Sequence, residues 1–91
     1  MSEERRRTKY DIYADIIEMI ARKGLCSRTR VSYGANMPVD RTKKELSFLV
    51  AHGFITEVHL EDSKKYRATK WGLEYLETFK LMRKFFAALQ E

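Results

Sequence analysis

Pro38-Val-Asp-Arg-Thr-Lys-Lys-Glu-Leu-Ser-Phe-Leu-Val-Ala-His-Gly53 is the stretch on which the fold turns. Val39, Thr42, Leu46, Leu49 and Val50 recur at helical spacing and predict one buried stripe. Asp40, Arg41, Lys44 and Ala51 point away from it, with Lys43 and Ser47 near the edge. Pro38 suits the first turn of a helix, where a missing N–H is no loss, and Gly53 suits the residue just past its end. Taken alone, the segment reads equally as an ordinary amphipathic helix with a solvated charged face. The flanking sequence has to decide.

Upstream, Thr8 with Asp11 three residues on is a capping arrangement, Asp standing for the usual Glu. Ile12, Tyr13, Ile16, Ile17 and Ile20 then keep a 3.6-residue period up to Lys23, and Gly24 ends the helix. Arg22 and Lys23 in the last turn suit the helix dipole. Leu25 and Cys26 are long enough only for a brief pairing with a sheet. Ser27 can cap a short helix from Arg28 to Tyr33, closed by Gly34, with Val31 and Tyr33 as its candidate buried residues. A short helix, a tight turn at 34–37 and a longer helix is the spacing of a helix-turn-helix.

Downstream the period changes to two. Phe54, Thr56, Val58 and Leu60 alternate with Ile55, Glu57 and His59, which predicts a strand. Residues 61–65 are a polar turn and Tyr66 to Ala68 a short return strand, with Lys64 and Lys65 at the hairpin tip. Thr69 caps a last helix of about 20 residues, long for so small a chain. Gly72, Tyr75, Phe79, Met82, Phe86 and Leu89 form a coiled-coil-like seam, with Leu73 and Leu76 beside it facing the domain's own core. Little sequence remains to cover Phe79, Leu81, Met82, Phe85, Phe86 and Leu89, so a second copy is expected there. The alternative is a helix folded back on its own core.

Ninety-one residues make one domain with one small core. Net charge is +5, and its placement matters more than its size. From Arg22 to Lys44 there are seven basic residues against Asp40 alone, a net of +6. The remainder holds 11 basic and 12 acidic residues. A concentrated basic stretch is the electrostatic footprint of phosphate binding. Residues 1–7 read as a basic arm, 8–69 as the binding domain and 70–91 as a dimerisation helix. No apolar run approaches a membrane span, and no signal peptide is expected behind Met1. Single Cys26 cannot form an internal disulfide; it reads as a small buried residue and fits a reducing cytoplasm.

These motifs together resemble the small archaeal winged helix-turn-helix DNA-binding proteins, one branch of which pairs through a long C-terminal helix. The likeness runs over residues 12–89. It rests on Arg28-Thr-Arg-Val-Ser-Tyr33, Ala35-Asn36-Met37, Lys43-Lys44 through Leu46 to Phe48-Leu49, Gly53-Phe-Ile55, and Tyr66-Arg-Ala-Thr69 with Gly72-Leu-Glu-Tyr-Leu76. Glu45 stands where that family commonly has an aromatic, Thr42 where it has Leu, and Pro38 where it has a capping residue. The resemblance implies a mainly α fold with a small β-hairpin (α+β). It also implies a homodimeric double-stranded DNA-binding protein of the cytoplasm and nucleoid, with the helix near 38–52 in the major groove.

On that reading Arg41, Lys43, Lys44 and Ser47 meet bases or phosphate from the recognition helix, while Ser27, Arg28 and Arg30 grip phosphate from the short helix. Lys64 and Lys65 touch phosphate from the hairpin, and Tyr75, Phe79, Met82, Phe85, Phe86 and Leu89 hold the dimer. Glu45 puts a negative charge near the groove, and Phe48, on the outer side of the wheel, is expected to pack on a neighbouring element. A transcriptional regulator is expected. The alternatives are a chromatin-coating protein of low specificity, or an interaction module for an acidic protein. Nothing points to an enzyme or to a cofactor: His52, His59 and Cys26 have no metal-ligand spacing, and there is no glycine-rich phosphate loop.

Overall fold

The computed structural model describes residues 7–90, so the expected basic arm, apart from Arg7, lies outside them. Arg7 is no part of a free arm. Its guanidinium pairs with Asp15 at 2.7 Å and donates to the Ala35 carbonyl at 2.9 Å.

α1 (Lys9–Lys23) opens with the reciprocal cap its sequence predicts. The Asp11 amide donates to the Thr8 hydroxyl at 3.1 Å, and the Thr8 amide to the Asp11 carboxylate at 2.8 Å. Ile16, Ile17 and Ile20 are fully buried, and each stabilises the fold by about 1.5–3 kcal/mol. Gly24 ends the helix at φ 85°, ψ −57°, where a side chain would be strained.

β1 (Cys26–Ser27) is the short strand, set antiparallel to β3 with Cys26 opposite Tyr66. α2 (Arg28–Ala35) is capped by Ser27, as expected, but runs past Gly34. The residue that turns left-handed is Asn36, at φ 56°, ψ 53°. Gly34 lies within the helix, with the flexible tip of the Met19 side chain in the space its Cβ would take. Tyr33 is not buried but 82% exposed; Ser32 is the buried residue, its hydroxyl donating to the Met37 carbonyl at 2.6 Å.

α3 (Val39–Ala51) departs from its helical wheel at both faces. Pro38 is the cap rather than a first-turn residue, and its carbonyl accepts from both the amide and the hydroxyl of Thr42, each at 2.9 Å. Val39, at the first helical position, overhangs the edge of the core and is 52% exposed. The buried stripe is Thr42, Glu45, Leu46 and Leu49, with Val50 half-buried. Phe48 packs on α1 as expected of it, stacked on Tyr13 with ring centroids 5.0 Å apart, and also lies against His52.

β2 (Ile55–Leu60) and β3 (Ser63–Ala68) complete a three-stranded antiparallel sheet in the order β1-β3-β2. The hairpin turn is only Glu61-Asp62, because Glu61 adopts φ 50° and reverses the chain at once. The return strand therefore starts at Ser63, not Tyr66. Lys64 and Lys65 lie along it, not at the tip.

α4 (Lys70–Leu89) is anchored by Thr69, whose hydroxyl accepts from the Gly72 amide at 3.1 Å and donates to the Gly53 carbonyl at 2.6 Å. Gly72 lets α4 lie directly on the backbone after α3, where a methyl would strike the Phe54 carbonyl. Leu76 enters the core; Leu73, expected to do so, faces solvent. Tyr75 donates its hydroxyl to the Tyr10 carbonyl at 2.7 Å, and Phe54, Tyr75 and Phe79 pack in a row. The molecule measures 51 × 27 × 21 Å, so α4 projects well past the core.

Candidate nucleic-acid interface

The outer side of α3 carries Lys43, Lys44 and Ser47, all exposed. Neither lysine is in an ion pair among the described residues. Arg41 is exposed too, but it is engaged: its Nε donates to Glu45 Oε2 at 2.9 Å. The Arg41 side chain is 46% exposed and that of Glu45 only 10%. Glu45 is therefore not a loose acid in the groove, as its charge leads one to expect. It sits in the stripe and reaches back one turn to Arg41, the direction side chains lean on a helix. Its charge is felt at the contact with α1, where burial first, and Glu45 second, push the Tyr13 phenol up.

A second basic group surrounds β1. Ser27 stands opposite Lys65 in the sheet register, and Arg28 and Arg30 open α2 beside it. Burial pushes the Cys26 thiol up, while the charges of Arg30, Lys23 and Lys65 act against that shift. Those three cations thus converge on one strand end. Lys23 and Arg30 also line an open depression of about 580 Å³, together with Tyr33. Neither Lys23 nor Tyr33 is among the contacts expected from the sequence: the lysine shows in the local charge excess, whereas nothing in the sequence marks the tyrosine as exposed. Arg28 is exposed and in no ion pair among the described residues. Lys64 is bound to Glu57 at 3.5 Å across the hairpin, and the same carboxylate meets His59 at 3.3 Å.

The apolar end of α4 is laid out separately. Leu81, Met82, Phe85, Phe86 and Leu89 are exposed, whereas Tyr75 and Phe79 are half-buried against their own domain. An open groove of about 1140 Å³ runs between the start of α1 and this half of α4. Lys80 and Arg22 both pair with Glu18, at 3.4 and 3.3 Å, and the first of these ties α4 to α1. Burial, and then the Asp11 charge, push the Tyr75 phenol up to about 12. Among the described residues no three of His, Cys, Asp and Glu gather closely enough to hold a metal ion, and no helix is long and apolar enough to cross a membrane.

Two helices joined by a tight turn, followed by a two-stranded wing and packed under a first helix, define a winged helix-turn-helix. The chain belongs to the winged helix-turn-helix family, which it matches over residues 6–86. Among solved structures it is similar to Sso10a-2, a DNA-binding protein from Sulfolobus solfataricus. That likeness has a TM-score of 0.74 at 27% identity and covers 92% of this chain and 90% of the other. A MarR family transcriptional regulator from Silicibacter pomeroyi DSS matches with a TM-score of 0.73 at 18% identity, over 86% of this chain and 54% of that one. The multiple antibiotic-resistance repressor of Listeria monocytogenes 4b F2365 matches at 0.67 and 13% identity, over 86% and 59%. At those identities the last two show the fold alone. No curated protein matches the sequence.

Proposed function

We propose that this protein binds double-stranded DNA as a homodimer, sets α3 in the major groove, and regulates transcription. One observation carries the reading: a concentrated charge excess, +6 between Arg22 and Lys44, spans the end of α1 and the helix-turn-helix of a winged helix. Lys43, Lys44 and Ser47 then face the groove or its walls, with Arg41 beside them. Ser27, Arg28 and Arg30 hold phosphate and fix orientation without reading sequence, and Lys65 extends that grip from the wing. Lys64 adds least, since Glu57 already holds it. The description of Sso10a-2 as a DNA-binding protein supports the assignment.

The dimer forms through Met82, Phe85, Phe86 and Leu89 of α4, with Tyr75 and Phe79 bracing the helix from the domain side. The exposed apolar surface and the groove beside it are what a partner helix would cover. Two copies present two recognition helices, so half-sites about one helical turn apart, or multiples of that, are expected. The chain acts as a non-enzymatic binder in the cytoplasm, on the nucleoid.

Fluorescence anisotropy with a labelled duplex tests the reading. If the dimer meets about six to ten phosphates, affinity falls roughly 10³- to 10⁵-fold between about 50 and 200 mM salt. Absence of duplex binding at low salt rejects the reading and favours an acidic protein as the partner.

A further inference from the structure

Of the charged side chains on the outer side of α3, Arg41 alone is in an ion pair among the described residues, and its partner, Glu45, is one the sequence leads one to place in solvent. The geometry of the pair is specific. Glu45 takes the Nε–H, on the inner edge of the guanidinium, and the structure gives Arg41 no other hydrogen bond or ion pair among the described residues. Its two Nη groups remain available. Glu45 is itself fixed, with a side chain only 10% exposed in the stripe of Thr42, Leu46 and Leu49.

We propose that Glu45 is a positioning residue that presents Arg41 as a guanine-reading fork. This rests on the reading of α3 as the helix in the major groove. An arginine held through Nε loses little further rotamer freedom on binding, and its outer edge keeps the paired donors that match guanine O6 and N7. A lysine at the same place would supply charge without that geometry. The buttressed fork makes this chain selective at one base pair of each half-site. Lys43 and Lys44, unrestrained, contribute charge more than choice.

The competing account of the same contact is charge cancellation, in which Glu45 merely weakens Arg41. Selection from duplexes with a randomised core, read as relative affinity base by base, separates them. The wild-type dimer enriches a guanine at one position per half-site. Arg41→Lys, a surface change that keeps the charge, loses that preference by roughly 5- to 150-fold, the equivalent of about 1–3 kcal/mol. Glu45→Met, which fills the buried space but removes the acceptor, lowers the same preference. Glu45→Gln, which keeps an acceptor without the charge, restores most of it. Thermal melts by circular dichroism establish that each variant is folded, and a change of stability alone would shift all sequences together. The proposal is overturned if wild type binds every duplex alike. It is overturned too if Glu45→Met and Glu45→Gln both tighten binding to all duplexes and leave the guanine preference intact. Failure of wild type to bind any duplex would instead remove the reading beneath it as well.

Discussion

Replacing Gly72 by alanine drives a methyl group into the backbone on which α4 rests. The new carbon would overlap the carbonyl oxygen of Phe54, lie 3.1 Å from its carbonyl carbon and 3.6 Å from Ile17 Cγ2. Neither of the first two can move as a flexible side-chain tip would. The Phe54 carbonyl accepts the Thr69 amide at 3.2 Å, and the Phe54 amide is bonded to Leu49 at 2.9 Å. The helix must therefore lift, loosening the Gly72–Thr69 cap and the Tyr75–Tyr10 hydrogen bond. Overpacking of this kind costs about 3 kcal/mol, and alanine returns about 1 kcal/mol through its better helix propensity. A net loss of about 2 kcal/mol corresponds to a fall in Tm of roughly 8–16 °C for a domain of this size. Calorimetry at one fixed protein concentration reads it, since the proposed dimer would add to apparent stability. Gly53→Ala is the contrast: φ is +80° but nothing lies within 4 Å, so only backbone strain of about 1 kcal/mol is expected. A Gly72→Ala variant as stable as wild type, or less affected than Gly53→Ala, would refute the packing described for α4.

Three other outcomes follow from the same structure. Phe85→Glu places a charge in the exposed apolar end of α4, and sedimentation equilibrium should then show a monomer at concentrations where wild type is a dimer; an unchanged mass would rule out this interface. Lys43→Ala should weaken binding to all duplexes about equally and reduce the slope of log affinity against log salt by about 1; a change confined to one base would mean that Lys43 reads sequence. The Tyr75 phenol is pushed up to about 12 in the fold against about 10 when unfolded. Its contribution to stability is thus complete below pH ~10 and is lost as pH rises toward about 12; melts across that range should slope downward in wild type and less so in Tyr75→Phe, and equal slopes would contradict the half-buried environment of Tyr75.

Much of this architecture was readable because local signals agreed with the tertiary ones. The Thr8–Asp11 cap, the isoleucine period of α1 and the glycine after α3 each have a local cause. The differences arise at residues whose type does not announce their place. Gly34 looks like a helix terminator, but it lies inside α2 against the tip of Met19, and the terminator is Asn36. A three-and-four spacing on α4 cannot say which turns lie on the core and which project beyond it, so Tyr75 and Phe79 read like Met82 and Phe86. The wing lysines were displaced because Glu61, not a glycine, adopts the positive φ that tightens the hairpin. Within the site, clustered charge was legible from α2 to α3. The burial of Glu45 was not, because a carboxylate is ordinarily a solvent residue until a partner four positions away satisfies it.

Amide chemical-shift mapping of the ¹⁵N-labelled protein with a duplex tests the central claim most directly. Perturbations should gather at Arg28–Arg30, Asp40–Ser47 and Lys65, and leave Leu81–Leu89 of α4 near their free positions. Shifts concentrated on the apolar end of α4 instead, with Lys43 and Lys44 unmoved, would contradict it.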